Sequence, residues 1–514
     1  MNGHSDILYL PGDFRERELW EKVTDDQWND SNWQLRNSIS KVEDLSKIIL
    51  LSDYQKSEIQ RVVSTLRSQG REPFRITPYY ASLISKDPFH PELLPGEKSY
   101  KRIDPIFWQC VPTPANLLFK NTGKVGAMSE ETRSFGAAYQ RYPNRVALFV
   151  AENTSCASYC VHCQRAKSLD GHADVSLNEI KKGLFYISYN KNIDEVLVTG
   201  GDALRVSNSL LKFVLEELSR IDHLRVIRIA TRVPVVLPMA INEKTLELIK
   251  TSSNRYAKGV PKYVYFMTHI NHYREITKNL LSASALIRDF GFTIRNQTVL
   301  LNHVNDYFKT LAETFRRMLW AGIHPYYLLQ CHKEKGIVHF ITPIQIGELY
   351  MKHLQGWISG ITRPDYACNI EGGGGKVLLM PTGYDTFRNG NDIEKKISES
   401  FATVHTWDGR ILKNYEALGR ATRNEFDEAV EVMNRFFGRK GVFMPKIIIV
   451  DEKGKRIETT NRTKLPGLTN LKKSELLNYT VIKGDLPLNN PYDISHELAE
   501  KYKSSKYPGK KIIK

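Results

Sequence analysis

Three of the six cysteines crowd into one short segment, NTSCASYCVHCQR, as Cys156, Cys160 and Cys163, spaced C-x3-C-x2-C. Thiolates at such spacing are metal ligands. A structural zinc site takes four ligands, commonly as two short cysteine pairs. Here there are three thiolates and no second pair, although His162 lies inside the motif. Three thiolates also suit a four-iron cluster with one iron left open to a small chelating ligand. Cys110, Cys331 and Cys368 stand apart and read as small buried apolar residues.

A glycine pair, Gly200-Gly201-Asp202, follows the apolar run EVLVT at 195–199. Alone it marks a tight turn; one strand beyond the cysteine segment it is a second candidate for ligand contact. The third feature is EGGGGK at 371–376. A phosphate loop of the ATPase type needs Gly at 370 and Ser or Thr at 377, but those positions hold Ile370 and Val377. The alternatives are a structural glycine turn, or Lys376 held at a strand end by a flexible glycine loop, where its amine would form a Schiff base with pyridoxal phosphate.

The elements that must position these groups alternate. From about Arg145 to Met380, apolar runs recur at 146–150, 195–199, 226–230, 264–268, 298–301 and 326–330, with helical stretches between them. Ser176, three residues before Glu179, opens one such helix with a capping box. Repeated strand–helix units predict a parallel sheet. Six units are too few for a closed eight-stranded barrel but enough for a partial (β/α)6 TIM-like barrel, with its chemistry at the C-terminal strand ends. Residues 1–140 read as a mainly helical region, 141–381 as the barrel, and 382–514 as an α+β extension. Within the extension a helix is expected from Asn424, as cap, to Phe437, with Gly438 as stop.

Composition excludes several classes. The 514 residues are 41% hydrophobic and 25% charged, an ordinary globular usage. No apolar run approaches the roughly 18 residues of a membrane helix. The N-terminus shows no secretory pattern, and six cysteines are too few for a disulfide scaffold, so the cytoplasm is the expected compartment. The net charge of +16 is spread along the chain, without a basic ladder suited to nucleic acid.

Taken together, the cysteine spacing on a partial barrel and the GGD turn resemble the radical S-adenosylmethionine superfamily. WNDSNWQLRN, QRYPNRV, CASYCVHCQR, VLVTGGDAL, IRIATRVPVVLP, NQTVLLNHVND, YYLLQCH and EGGGGKVLLMP, in this order, resemble the lysine 2,3-aminomutase family over most of residues 20–381. The resemblance implies that Cys156, Cys160 and Cys163 ligate a [4Fe-4S] cluster. It implies that Gly200, Gly201 and Asp202 help hold S-adenosylmethionine, and that Lys376 carries pyridoxal 5'-phosphate with Arg141, Tyr142 and Arg145 at the phosphate. Arg165 would pair with the substrate α-carboxylate. The implied reaction moves the amino group of a free amino acid from C2 to C3 by radical chemistry. An electron donor such as flavodoxin or ferredoxin, and a homo-oligomeric assembly, are implied with it.

The chain departs from the lysine enzyme at two positions. Where that enzyme has aspartates for the ε-ammonium, this chain has His332 and Asn369. A desolvated ammonium without a counter-charge costs several kcal/mol, so lysine is disfavoured. The glutamate-specific relatives resemble this chain in having Asn at the second position but carry Lys at the first. Glutamate is therefore favoured, ahead of a polar neutral amino acid or arginine; the bland alternative is that His332 only packs the pocket wall. The C-terminal cysteines that bind zinc in the lysine enzyme are also missing, since no cysteine follows Cys368. Two other functions compete: a radical enzyme acting on a protein or tRNA, and a non-catalytic iron–sulfur protein. The latter leaves Arg141, Tyr142, Arg145 and Lys376 unexplained.

Overall fold

The computed structural model describes residues 11–70, 72–91, 103–119, 122, 133–151, 155–163, 175–253, 262–355, 357–372, 374–379, 401–406 and 410–460. Its centre is a ten-stranded sheet whose neighbours follow chain order: β1 (Ser134–Phe135), β2 (Ala138–Tyr142), β3 (Arg145–Phe149), β4 (Glu195–Thr199), β5 (Val226–Ala230), β6 (Tyr263–Thr268), β7 (Thr293–Leu300), β8 (Ile323–Gln330), β9 (Asp365–Ile370) and β10 (Gly375–Leu378). β3 to β9 are parallel. The helices Leu177–Tyr189, Asn208–Ser219, Glu243–Ser253, Lys278–Asp289, Phe308–Trp320 and Ile344–Leu354 join them, one per crossover. Six strand–helix units were expected and six are present, giving an α/β architecture.

Right-handed crossovers that all advance in one direction place their helices on one face of the sheet. The strand sequences agree. Val146 and Leu148, Val196 and Val198, and Ile227 and Ile229 are buried, while the alternate residues Arg145, Glu195 and Arg228 are only partly covered and turn to the other face. Ser176 caps the first of these helices by accepting from the Glu179 N–H, while the Glu179 carboxylate turns to Lys182, 2.6 Å away.

The edges of the sheet are antiparallel and were not anticipated. β1 and β2 precede β3 as a meander, so sheet structure begins at Ser134, inside the stretch read as helical. β10 folds back on β9 as a hairpin. β2 (AYQRY) and the first half of β7 (TIRNQ) lack an apolar run because they carry polar residues inward, which is why periodicity missed them.

The N-terminal region is helical, with Asp53–Ser68 its longest element. The extension forms a hairpin, β11 (Phe401–His405) with β12 (Ile411–Glu416), and a three-stranded sheet, β13 (Gly419–Thr422), β14 (Ile447–Val450) and β15 (Arg456–Thr459). The helix Arg423–Phe437 lies between β13 and β14. Its cap is Thr422, in a capping box with Glu425, rather than Asn424, and it ends at Gly438 with φ 68°, as expected. The extension packs on the rest of the chain through a Lys446–Asp306 ion pair of 2.8 Å and through Phe437 against Trp108.

Candidate active site

The cysteine segment lies beyond the C-terminal end of β3 and is fixed from below by the N-terminal region. Tyr159 N–H donates to Arg75 O at 2.8 Å, Val161 N–H to Gln109 O at 2.8 Å, and Thr77 N–H to the Ser158 hydroxyl at 3.0 Å. Cys156, Cys160 and Cys163 line one cavity of about 350 Å³, together with Gly200, Gly201, Asp202 and His332. Gly200 has φ 144°, and a Cβ there would sit 2.2 Å from Ala151 O, so no other residue allows the β4 turn to approach the start of the cysteine segment this closely. Asp202 is buried. Its carboxylate accepts from Leu204 N–H at 3.0 Å and Arg232 N–H at 2.7 Å, so it caps the turn that follows.

The thiols push one another toward the neutral form. Burial raises the Cys156 pKa well above its ordinary value, and Asp202, Cys163 and Cys160 add to the rise. Three would-be thiolates and a carboxylate around one cavity are a set that a bound cationic centre would neutralise, and all three sulfurs are ones that iron takes. In that respect the residues fit an iron–sulfur cluster. The donor atoms of Cys160, His162 and His269 also lie within 4.8 Å of one another. This second set shares Cys160 with the first and offers three ligands, one short of a closed structural zinc site. The Arg232 guanidinium is 2.8 Å from Cys160 Sγ, and the two imidazoles share a 3.1 Å Nε2···Nε2 contact.

Arg232, within IRIATRVPVVLP, lies on the loop after β5, and its sequence neighbours give no sign of a role. Its Nη2 donates to Glu275 Oε1 at 2.7 Å and Tyr80 Oη at 2.6 Å, and its Nε to His269 O at 3.3 Å. Glu275 is fully buried and also accepts from Asn271 N–H at 2.7 Å and His272 N–H at 2.8 Å. A lone arginine or glutamate reads as surface charge in a sequence; only the fold shows that the two meet in the interior.

The second group gathers at the hairpin edge. Lys376 lies on β10, directly opposite Asn369 on β9, so the lysine is carried by a strand of a hairpin rather than by the glycine loop itself. The Lys376 N–H donates to the Tyr142 hydroxyl at 2.6 Å. Arg145 stacks on the Tyr142 ring at 4.2 Å, and Arg141 Nη1 donates to Asn369 Oδ1 at 3.3 Å. The Lys376 amino group is enclosed, 5.5 Å from the centroid of Tyr327. Burial pushes its pKa down to about 7, helped by Arg141, Arg228 and Arg145. A near-neutral amine among three guanidiniums is suited to Schiff-base chemistry with an anionic aldehyde. Among the described residues, the Arg228 Nε and His332 Nε2 atoms are buried without a hydrogen-bond partner, so the residues fit pyridoxal phosphate.

His332 links the groups. It lines the cysteine cavity, yet Arg141 and Lys376 both act on it electrostatically. Burial, then Arg141 and Lys376, lower its pKa to about 3, so it is a neutral imidazole rather than a cation. Lys376 itself is not part of the cavity wall. Arg165 lies outside the described residues.

No protein-family model matches the chain. Individual proteins do. An L-lysine 2,3-aminomutase of Methanococcus maripaludis is 36% identical over 411 residues, 78% of this chain and 83% of its own length. An L-lysine 2,3-aminomutase of Clostridium subterminale is 35% identical over 372 residues, 71% of this chain and 82% of its own. A glutamate 2,3-aminomutase of Clostridioides difficile is 32% identical over 395 residues, 76% and 83% respectively.

Proposed function

The chain belongs to the lysine 2,3-aminomutase family and is by that membership an isomerase, and we propose that it converts a free L-α-amino acid without a side-chain ammonium, glutamate first, to the β-amino acid. In this reading the sheet is a partial barrel of the radical S-adenosylmethionine type with its site at the strand ends. Cys156, Cys160 and Cys163 hold a [4Fe-4S] cluster, Gly200, Gly201 and Asp202 border S-adenosylmethionine, and Lys376 holds pyridoxal phosphate. Bound there, these groups supply one-electron radical chemistry and an electron-accepting ring beside the migrating nitrogen.

The chain's own residues would do the rest. Lys376, with its pKa lowered to about 7, is neutral in a large fraction of molecules near pH 7 and presents a nucleophilic amine at Nζ. Arg141 and Arg145 offer forked donors to phosphate, and Tyr142 fixes the β10 backbone that carries Lys376. Arg165 would orient the α-carboxylate.

The observation that carries the substrate reading is the pair His332 and Asn369, a neutral imidazole and an amide where two carboxylates would be needed to hold an ε-ammonium. An ammonium desolvated there would lack a counter-charge, which disfavours lysine. Lysine remains the second reading, because most of the similar proteins are named for it. Anaerobic incubation of the chain with each common amino acid, S-adenosylmethionine, pyridoxal phosphate and reductant, scored for β-amino acid, tests the proposal. Product from lysine alone overturns it. An electron carrier such as flavodoxin or ferredoxin, a homo-oligomer and a cytoplasmic setting complete the proposal. Among the described residues, no helix is long and apolar enough to cross a membrane.

A further inference from the structure

The Arg232 side chain is positioned by an arrangement too complete to be incidental packing. Every hydrogen-bonding nitrogen of its guanidinium is engaged: Nε on His269 O, Nη2 on Glu275 and Tyr80, Nη1 on Cys160 Sγ at 2.8 Å. The carboxylate opposite is equally occupied, with Tyr80 and Arg232 on Oε1 and two backbone N–H groups on Oε2. Tyr80 comes from the N-terminal region, Arg232 from the end of β5, and Glu275 from the loop after β6. Three separate parts of the chain thus fix a single donor on a single sulfur. A buried ion pair of this kind seldom adds stability over apolar packing, so its retention calls for a reason beyond stability.

We propose that Arg232 is a positioning residue that directs a charged N–H···S hydrogen bond at the Cys160 ligand and thereby raises the reduction potential of the iron–sulfur cluster, with Glu275 and Tyr80 holding the guanidinium on target. The inference rests on the cluster assignment made above. Its physical basis is general. The potential of such a cluster follows its net charge, the hydrogen bonds to its sulfurs and its exposure. Reduction adds one negative charge, and a fixed cation at a ligand sulfur favours the reduced form. The same residue's backbone N–H holds Asp202, so the geometry of the Gly200–Asp202 turn and the electrostatics of Cys160 depend on one position.

The test is an anaerobic redox titration of the reconstituted full chain, followed by the electron paramagnetic resonance signal of the reduced cluster. Wild type, Arg232→Gln and Arg232→Lys are compared at equal iron content. The Gln variant is expected to keep its iron and shift to a more negative potential, with the Lys variant between it and wild type. An iron-loaded Gln variant that titrates with wild type overturns the proposal. If neither variant retains iron, Tyr80→Phe, which removes one neutral partner of the guanidinium, is titrated instead. A smaller negative shift supports the proposal, and an unmoved potential overturns it. A wild-type chain that binds no iron overturns the cluster assignment and this inference together, whereas a wild-type cluster with unmoved variants overturns this inference alone.

Discussion

The cysteine side and the lysine side of the candidate site solve opposite electrostatic problems. Around Cys160 one charge pair is settled before any ligand arrives: Arg232 faces Glu275, each guanidinium nitrogen has a partner and each carboxylate oxygen accepts two hydrogen bonds. Around Lys376 three guanidiniums, those of Arg141, Arg145 and Arg228, act on one amine; Arg228 also pairs with Glu195 at 2.6 Å, and among the described residues its Nε and His332 Nε2 are buried without a hydrogen-bond partner. A fully hydrogen-bonded pair is organised for rigidity, because a half-satisfied buried network costs more than none. Guanidiniums gathered around one amine are suited to an anion. The chain thus keeps a rigid electrostatic frame where radical chemistry is proposed and an open positive one where a phosphate is proposed.

The sharpest way to break this comparison is to remove the ligands on each side separately. Replacing Cys156, Cys160 and Cys163 together with Ala is expected to abolish iron binding and the reductive cleavage of S-adenosylmethionine. Borohydride-trapped pyridoxal phosphate should still appear on Lys376. Full iron content in that variant contradicts the cysteine assignment. The mirror experiment is Lys376→Ala. It is expected to lose the trapped adduct and all turnover while keeping iron and cleaving S-adenosylmethionine. An adduct found on another lysine refutes the role of Lys376. If either variant loses both cofactors, the two sides are not independent.

Legibility in the sequence divides along the same line. The cysteine side was readable because it is local: three thiols within one turn of chain, next to strand runs as apolar as EVLVT and VIRIA, whose bounds match β4 and β5. The lysine side was readable only as separate pieces. Nothing in EGGGGK says that Lys376 faces Asn369 across a hairpin. Nothing in QRYPNRV says that it forms part of two strands, because β2 carries its polar residues inward and so lacks a strand's apolar run. The Arg232–Glu275 pair was illegible because its partners stand 43 residues apart and meet through the sheet. The His332 and Asn369 positions were legible through the family resemblance, but the neutrality of His332 was not, since burial decides it.

A smaller change sharpens the comparison at the boundary between the two sides. His332→Asp with Asn369→Asp places two carboxylates beside Arg141 and should raise kcat/KM for lysine relative to glutamate by tenfold or more, about 1.4 kcal/mol. Either single change should do less, because a buried ammonium needs its charge and its hydrogen bonds met together. Wild type that prefers lysine by tenfold would mean that the missing counter-charge at His332 and Asn369 does not govern selectivity.

A further expected effect concerns pH. The Lys376 amine titrates near 7 in the folded chain against about 10.4 in a free lysine. Between these values the unfolded chain holds a proton that the folded chain has released. Stability therefore rises with pH across roughly 7 to 10.4 through this residue, and Lys376→Met should flatten that slope in denaturant titrations. The same shift is visible in reactivity. Linkage to pyridoxal, which lacks the phosphate and its own ionisation, should accelerate through an inflection near pH 7. Arg228→Gln removes one of three neighbouring cations and should move that inflection upward, but not to the value of a free lysine, because burial is the largest cause of the shift and is left in place. An inflection above pH 9 in the unmodified chain would show that the amine is solvated and charged. The contrast between a cysteine side fixed by an ion pair and a lysine side crowded with cations would then fail at its most sensitive point.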